Sequence, residues 1–240
     1  MQFSIITVTL NAGAVIERTL QSIAMQRNTS YEVIIIDGVS TDETLAVCKQ
    51  YDKLVSKVIV EHDSGIYDAM NKGIDHAQGE YCLFLNAGDE LCSKDTLSIV
   101  ATHMNDNSVV VSGDFISISI HGREKYIQTS KLSLDHLSTN FNACHQSIYI
   151  KRSHIARFDL QYRFLADYDS VIRTLKSCSD NQSVYVSGPL CRYYRGGYSD
   201  TASFSREVER HRILKHHFGW KGVIFSAPHN AARLLRAVLR

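Results

Sequence analysis

The sequence predicts an α/β protein with a doubly wound, mostly parallel central sheet flanked by helices. Three observations carry this. Short apolar runs alternate with helically spaced stretches through the first half of the chain. The runs read as buried strands. Their carboxyl ends collect polar and acidic residues, where ligands bind in open α/β sheets.

The elements follow in order. "FSIITVTL" (3–10) reads as a buried strand, and "AVIERTLQSIAMQ" (14–26) has the helical spacing Val15, Ile16, Leu20, Ile23, Ala24. "YEVIIID" (31–37) is a second strand. Ser40, Thr41 and Asp42 offer N-cap chemistry to a helix in "ETLAVCKQY". "SKVIVEH" (56–62) is a third strand, "IYDAMNKGIDHAQ" (66–78) a helix ending near Gly79, and "YCLFLN" (81–86) a fourth strand. In the second half, "SVVVSGDFISISI" (108–120) alternates like an antiparallel strand, and "REKYIQTS" (123–130) can pair with it. "HQSIYIKR" (145–152) is another strand and "ADYDSVIRTLKS" (166–177) a helix. Residues 183–200 read as strand, turn, strand and a glycine-containing loop. "SREVERHRILKHHFGW" and "APHNAARLLRAVLR" close the chain as two helical stretches. The expected divisions are 1–113 and 114–202, two halves of one domain, and 203–240, basic terminal helices.

Composition narrows the function. In a chain of 240 residues a formal net charge of +1 argues against general nucleic-acid binding. The first hundred residues are acidic and the segment after Arg206 is basic, which points to an anionic surface or partner there. On a helix from residue 229, Ala232, Leu235 and Leu239 share one side, and Arg233, Arg236 and Arg240 lie elsewhere. This pattern suits a helix resting on an anionic membrane and equally a soluble helix packed on the core with a solvated basic face. The six cysteines form no CxxC pair, as expected of reduced thiols in a cytoplasmic protein. No signal peptide or membrane-spanning run is read in the sequence.

The sheet edge carries the chemistry. Strand one ends at Thr9 and Asn11, strand two at Asp37 with Gly38 and Ser40, strand three at Asp63, Ser64 and Gly65, and strand four at Asn86 and Asp89. Helix capping explains Asp42 and Asp63 as readily as binding does. Neither a G-x-G-x-x-G nor a Walker A loop follows strand one, which argues against a dehydrogenase or a P-loop NTPase. A carboxylate here can accept from a base or ribose, or hold a Mg²⁺ that carries a diphosphate.

The stretches "SIITVTLN", "EVIIIDGVSTDET", "EHDSGIYDAMNKGIDHAQGEYCLFLNAGDEL", "HQSIYIKRS", "FLADYDSVIRTL" and "YRGGYSD" resemble, in order and spacing, a family 2 glycosyltransferase with the GT-A fold. The nearest likeness is to enzymes of bacterial colanic acid or O-antigen synthesis. The resemblance implies an inverting transferase that moves a sugar from a nucleotide-diphosphate donor, a UDP-sugar first among them, to a hydroxyl of a glycan or polyprenyl-diphosphate-linked acceptor. It places Thr9, Asn11, Asp37, Ser40, Asp63, Gly65, Asn86 and Arg195 at the donor. Arg195 would lie in a closing loop with Gly196, Gly197 and Ser199. The resemblance sets His145 and Gln146 by the sugar pocket and Asp167 as catalytic base, with Asp169 the fallback base. Asn86-Ala87-Gly88-Asp89 takes the place of a DxD metal motif that departs from "DSDD" at Asn86 and Gly88. Asp89 is left as the ligand for Mn²⁺ or Mg²⁺. The rival readings are a catalytically degenerate nucleotide-sugar-binding subunit and a sugar nucleotidyltransferase. The expected location is the cytoplasm, at the inner face of the membrane.

Overall fold

The computed structural model describes residues 1–139, 142–197 and 203–238, with side chains described as far as 224 in the last segment. Ser199 and the side chains of the helix from 229 lie outside the described residues. Four parallel strands form one half of the sheet. They are β1 (Phe3–Thr9), β2 (Tyr31–Asp37), β3 (Lys57–Val60) and β4 (Tyr81–Phe84), in the order β3-β2-β1-β4. The helices between them are α1 (Ile16–Ala24), α2 (Thr44–Gln50) and α3 (Ile66–His76).

The sheet then turns mixed. β5 (Glu90–Leu91), α4 (Thr96–His103), β6 (Val110–Ile118), β7 (Glu124–Ile127), α5 (Leu134–Thr139), β8 (Ile148–Lys151), α6 (Ala166–Lys176), β9 (Ser183–Tyr194) and α7 (Ser203–Val238) follow along the chain. The order continues from β4 through β8, β6 and β9 to β5, with β7 on β6. The 113/114 position falls inside β6, where the pairing with β9 shifts register at Gly113, Asp114 and Phe115.

Successive side chains on a strand point to opposite faces, so each strand feeds two cores. Ile6 and Val8 of β1 pack with Met70 of α3 and Ile172 of α6. Phe3 and Ile5 pack on the other face with Leu20 of α1 and Cys48 of α2. Each fully buried Ile or Leu contributes roughly 2 kcal/mol by transfer from water.

Four details differ from the sequence reading. β5, α4 and α5 were not predicted. Residues 145–147 form a single 3₁₀ turn ahead of β8. The strand–turn–strand expected from 183 is one continuous strand, because Asp114 holds the turn-like Gly188 by accepting its N–H at 3.1 Å. The two terminal helical stretches form one helical element broken at Gly219, whose φ is 65°.

Candidate active site

β1 and β2 run in register, with Thr9 opposite Asp37, so their loops leave the sheet side by side. Side chains stitch those loops together. Ser40 donates its N–H to Asp37 Oδ1 at 2.7 Å and its hydroxyl to Asp37 Oδ2 at 2.7 Å. The Ser40 hydroxyl also accepts the Asn11 N–H at 2.8 Å. Asn11 Oδ1 accepts the Thr41 N–H at 2.9 Å. Asp42 accepts the Gly13 N–H, and this bond holds its carboxyl below the usual range together with the Thr44 hydroxyl, the larger cause.

Between these residues Val39 sits at φ 68°, a left-handed backbone that a β-branched residue rarely adopts. Asp63 Oδ1 accepts the Gly65 N–H at 2.9 Å. A Cβ on Gly38 would lie 2.8 Å from Asp63 Oδ2, so the missing side chain lets the third strand's acid reach the end of the second. Thr9 Oγ1 is buried without a partner. The structure thus brings Thr9, Asn11, Asp37, Ser40, Asp63 and Gly65 to one edge, with both Asp37 oxygens already engaged by Ser40.

The stretch after β4 is pinned by α1. Thr19 accepts the Gly88 N–H at 2.8 Å and donates to the Asp89 carbonyl at 2.7 Å. Gly88 has φ 100°, which L side chains avoid. Asp89, the expected metal ligand, is buried. It is only 5% exposed. Its Oδ2 accepts from Gln146 Nε2 at 2.6 Å and its Oδ1 from the Tyr194 N–H at 2.9 Å. Burial pushes the Asp89 carboxyl up to about 6, against the pull of those two donors. Gln146 is buried as well, and its Oε1 accepts from the Cys144 thiol at 2.6 Å. Asp89 and Gln146 tie the loop to β9 and to the turn before β8.

A second row of bonds crosses the site. Asn86 Nδ2 lies 3.0 Å from His145 Nε2, and His145 Nδ1 lies 3.0 Å from Asp167 Oδ2. Which ring nitrogen donates follows from the tautomer, and the Asp167 carboxylate can only accept. Asp167 Oδ1 accepts the Tyr67 hydroxyl at 3.1 Å and the Tyr168 N–H at 2.9 Å. Burial raises the Asp167 carboxyl, but His145, Tyr168 and Tyr67 outweigh it and leave it below its usual value. Asp167 is therefore an ionised carboxylate at the start of α6.

Asp169 serves a different purpose. It accepts from His217 Nε2 at 2.7 Å and from Arg173 Nε at 2.7 Å, joining α7 to α6. Glu209 of α7 accepts the N–H groups of Arg163, Phe164 and Leu165 at 2.7, 2.8 and 3.1 Å. Sequence reasoning missed Thr19, Tyr67 and Glu209. Their partners are distant in the chain and leave no local signal.

Among the described residues no group of three or more His, Cys, Asp or Glu side chains could hold a metal ion. Among the side-chain oxygens of the Asn86–Asp89 stretch, Asn86 Oδ1 is buried without a partner. Arg195 is exposed beyond the end of β9, with its N–H on the Ile118 carbonyl at 2.8 Å.

The parallel α/β edge thus carries a helix-borne carboxylate, Asp167, joined through His145 to the fourth-strand loop. Residues 4–173 match the family model Glycosyl transferase family 2, and the chain belongs to that family. It is 38% identical over 211 residues to a PGL/p-HBAD biosynthesis glycosyltransferase of Mycobacterium tuberculosis, covering 83% of this chain and 79% of that one. The fold is shared with S. aureus TarS 1–349 in complex with UDP-GlcNAc, at TM-score 0.65 and 20% identity, over 90% of this chain. This chain spans 66% of that TarS chain, a little under two thirds. A mannosyltransferase from Pyrobaculum calidifontis in complex with GDP-Man and Mn²⁺ matches at TM-score 0.59 and 18% identity, over 99% of this chain and 75% of that one. The protein is a glycosyltransferase. The described residues contain no helix long and apolar enough to cross a membrane.

Proposed function

We propose that the enzyme transfers a sugar, with inversion, from a nucleotide-diphosphate donor to a hydroxyl of a glycan or lipid-linked acceptor in cell-surface polysaccharide synthesis, on the cytoplasmic side. The observation that carries this is the row Asn86–His145–Asp167, which joins the donor-side loop to an ionised carboxylate. Two of the three bonds to Asp167 fall on Oδ1, so Oδ2 keeps a lone pair for an incoming hydroxyl.

In the step itself the acceptor oxygen attacks the anomeric carbon. Its proton passes to Asp167, and the bond to the diphosphate breaks on the opposite face. His145 fixes the carboxylate's orientation and keeps it ionised. Thr9, Asn11, Asp37, Ser40, Asp63 and Gly65 frame the nucleoside, a UDP-sugar being the first candidate because the TarS neighbour is in complex with UDP-GlcNAc. Arg195, beyond the end of β9, would offset the charge of the leaving diphosphate. Asn86 Oδ1 is the protein oxygen that fits a Mn²⁺ or Mg²⁺; such an ion supplies charge neutralisation to the diphosphate. Asp89, with both oxygens engaged, positions Gln146 and Tyr194.

The test is calorimetric titration of UDP, GDP and dTDP with and without Mn²⁺ or Mg²⁺, followed by nucleotide release from the matching sugar donors. Selective binding of one nucleotide, with release lost in Asp167→Asn, supports the reading. Tight nucleotide binding without any transfer or hydrolysis would favour a binding-only subunit.

A further inference from the structure

The surface of α7 carries large apolar side chains in water. Phe204 is 71% exposed, Trp220 65% and Ile224 66%, with Val208 beside them. Phe204, Val208, Trp220 and Val223 line one cleft with Arg212 and Lys215. The break at Gly219 lets residues on both sides of it share that cleft, since an unbroken helix would set Phe204 and Trp220 more than four turns apart.

The charge around the cleft has one sign at the surface. Arg212, Lys215, His216 and Lys221 are exposed, while the two acids of the segment, Glu207 and Glu209, are buried. Glu207 is paired with Arg210 and Glu209 with backbone N–H groups. Lys215 Nζ lies 4.5 Å from the centre of the Trp220 ring, so a cation and an interfacial aromatic are presented together.

We propose that this face of α7, centred on Trp220, docks on an anionic lipid surface. The apolar side chains would enter the boundary between headgroups and acyl chains, and Arg212, Lys215 and Lys221 would meet the lipid phosphates. A neutral apolar partner would leave these cations uncompensated, and a purely anionic soluble partner would leave the aromatic side chains in water. The face lies beyond residues 4–173 matched by the family, and the proposal stands independently of the sugar-transfer reading.

Trp220 is the chain's single tryptophan, so its fluorescence reports on this face alone. Full-length protein is mixed with vesicles of phosphatidylcholine, or of phosphatidylcholine with phosphatidylglycerol, and followed by emission and by sedimentation. The expected result is a shift to shorter wavelength with the anionic vesicles, weakened by added salt. The double variant Arg212→Glu/Lys215→Glu should lower vesicle binding at least about tenfold, given the attraction each cation contributes near such a surface. Trp220→Ser, read by sedimentation, should also bind less. Three results would overturn the proposal. They are unchanged emission with both vesicles, an equal response to neutral vesicles, and a shift that grows with protein concentration without lipid, which would make a second copy of the chain the occupant. Nucleotide binding is expected to be the same in all variants, so failure here is separable from failure of the donor site.

Discussion

His145 Nδ1 lies 3.0 Å from Asp167 Oδ2, and the same imidazole reaches Asn86 through Nε2 at 3.0 Å. One side chain therefore spans the gap between the fourth-strand loop and the helix that bears the base. Asp167→Asn keeps the size of the residue but removes the proton acceptor. Turnover should fall by about 10²–10⁴-fold, with nucleotide affinity unchanged in calorimetry. His145→Ala should lower kcat less steeply, because Tyr67 and the Tyr168 N–H still hold the carboxylate. Loss of nucleotide binding in Asp167→Asn would show that Asp167 serves the donor and not the acceptor.

Glu209 anchors the residues that lead into α6. Its carboxylate takes three consecutive N–H groups, and the Phe164 carbonyl in the same turn, 2.9 Å from the Tyr67 hydroxyl, shares that one proton with Asp167 Oδ1. Tyr67 in turn touches Asp167. Glu209→Ala would leave the buried Leu165 N–H unpaired, at about 1–3 kcal/mol, and return the N–H groups of Arg163 and Phe164 to water at lower cost. A fall in kcat with donor KM unchanged is expected, together with faster hydrogen exchange at Phe164 and Leu165. Unchanged kcat and exchange would reduce Glu209 to a surface acid.

Asp89 gives a pH signature. Its carboxyl, raised to about 6 by burial, binds a proton in the folded protein where the unfolded chain, near 3.8, has lost it. Stability from this group is therefore present at low pH and falls as pH rises from 3.8 to 6, by roughly 3 kcal/mol at most. Asp167 and Asp169 are depressed and act oppositely, losing stability as pH falls through their folded values. Carboxyl-carbon NMR titration should place the Asp89 midpoint near 6 and those of Asp167 and Asp169 below 3.8. A midpoint for Asp89 at or below 4 would mean that the loop opens and hydrates.

Much of this was legible in the sequence. β1, β2 and β4 are buried on both faces, so they are written as unbroken apolar runs, and the edge acids follow from where those runs stop. α4 escaped because its apolar residues form no single stripe: Leu97 and Val100 are buried while Ile99 is exposed. β5 is two residues long and exists only because β9 lies beside it. The role of Asp89 depends on Tyr194, 105 residues away, and that of Glu209 on residues 163–165, so neither has a local pattern to read. His145 and Asp167 were found separately, but their contact across 22 residues is a product of the sheet.

The glycine at 88 decides whether the motif could be returned to its commoner acidic form. Its φ of 100° lies where an L side chain meets its own backbone, and a Cβ there would also approach Val15 at 3.4 Å. The Gly88 N–H is already committed to Thr19, and the next residue is locked by Gln146 and Tyr194. The loop cannot turn to relieve the strain without breaking these bonds. Gly88→Asp should therefore destabilise the fold by about 1–3 kcal/mol, read as a lower Tm. Gly88→Ala should lose a similar amount, since the cost lies in the backbone and not in the charge. If Gly88→Asp were as stable as the parent and bound Mn²⁺ more tightly with nucleotide, the loop would be free to adopt the acidic motif's geometry. The pinning by Thr19 would then be incidental.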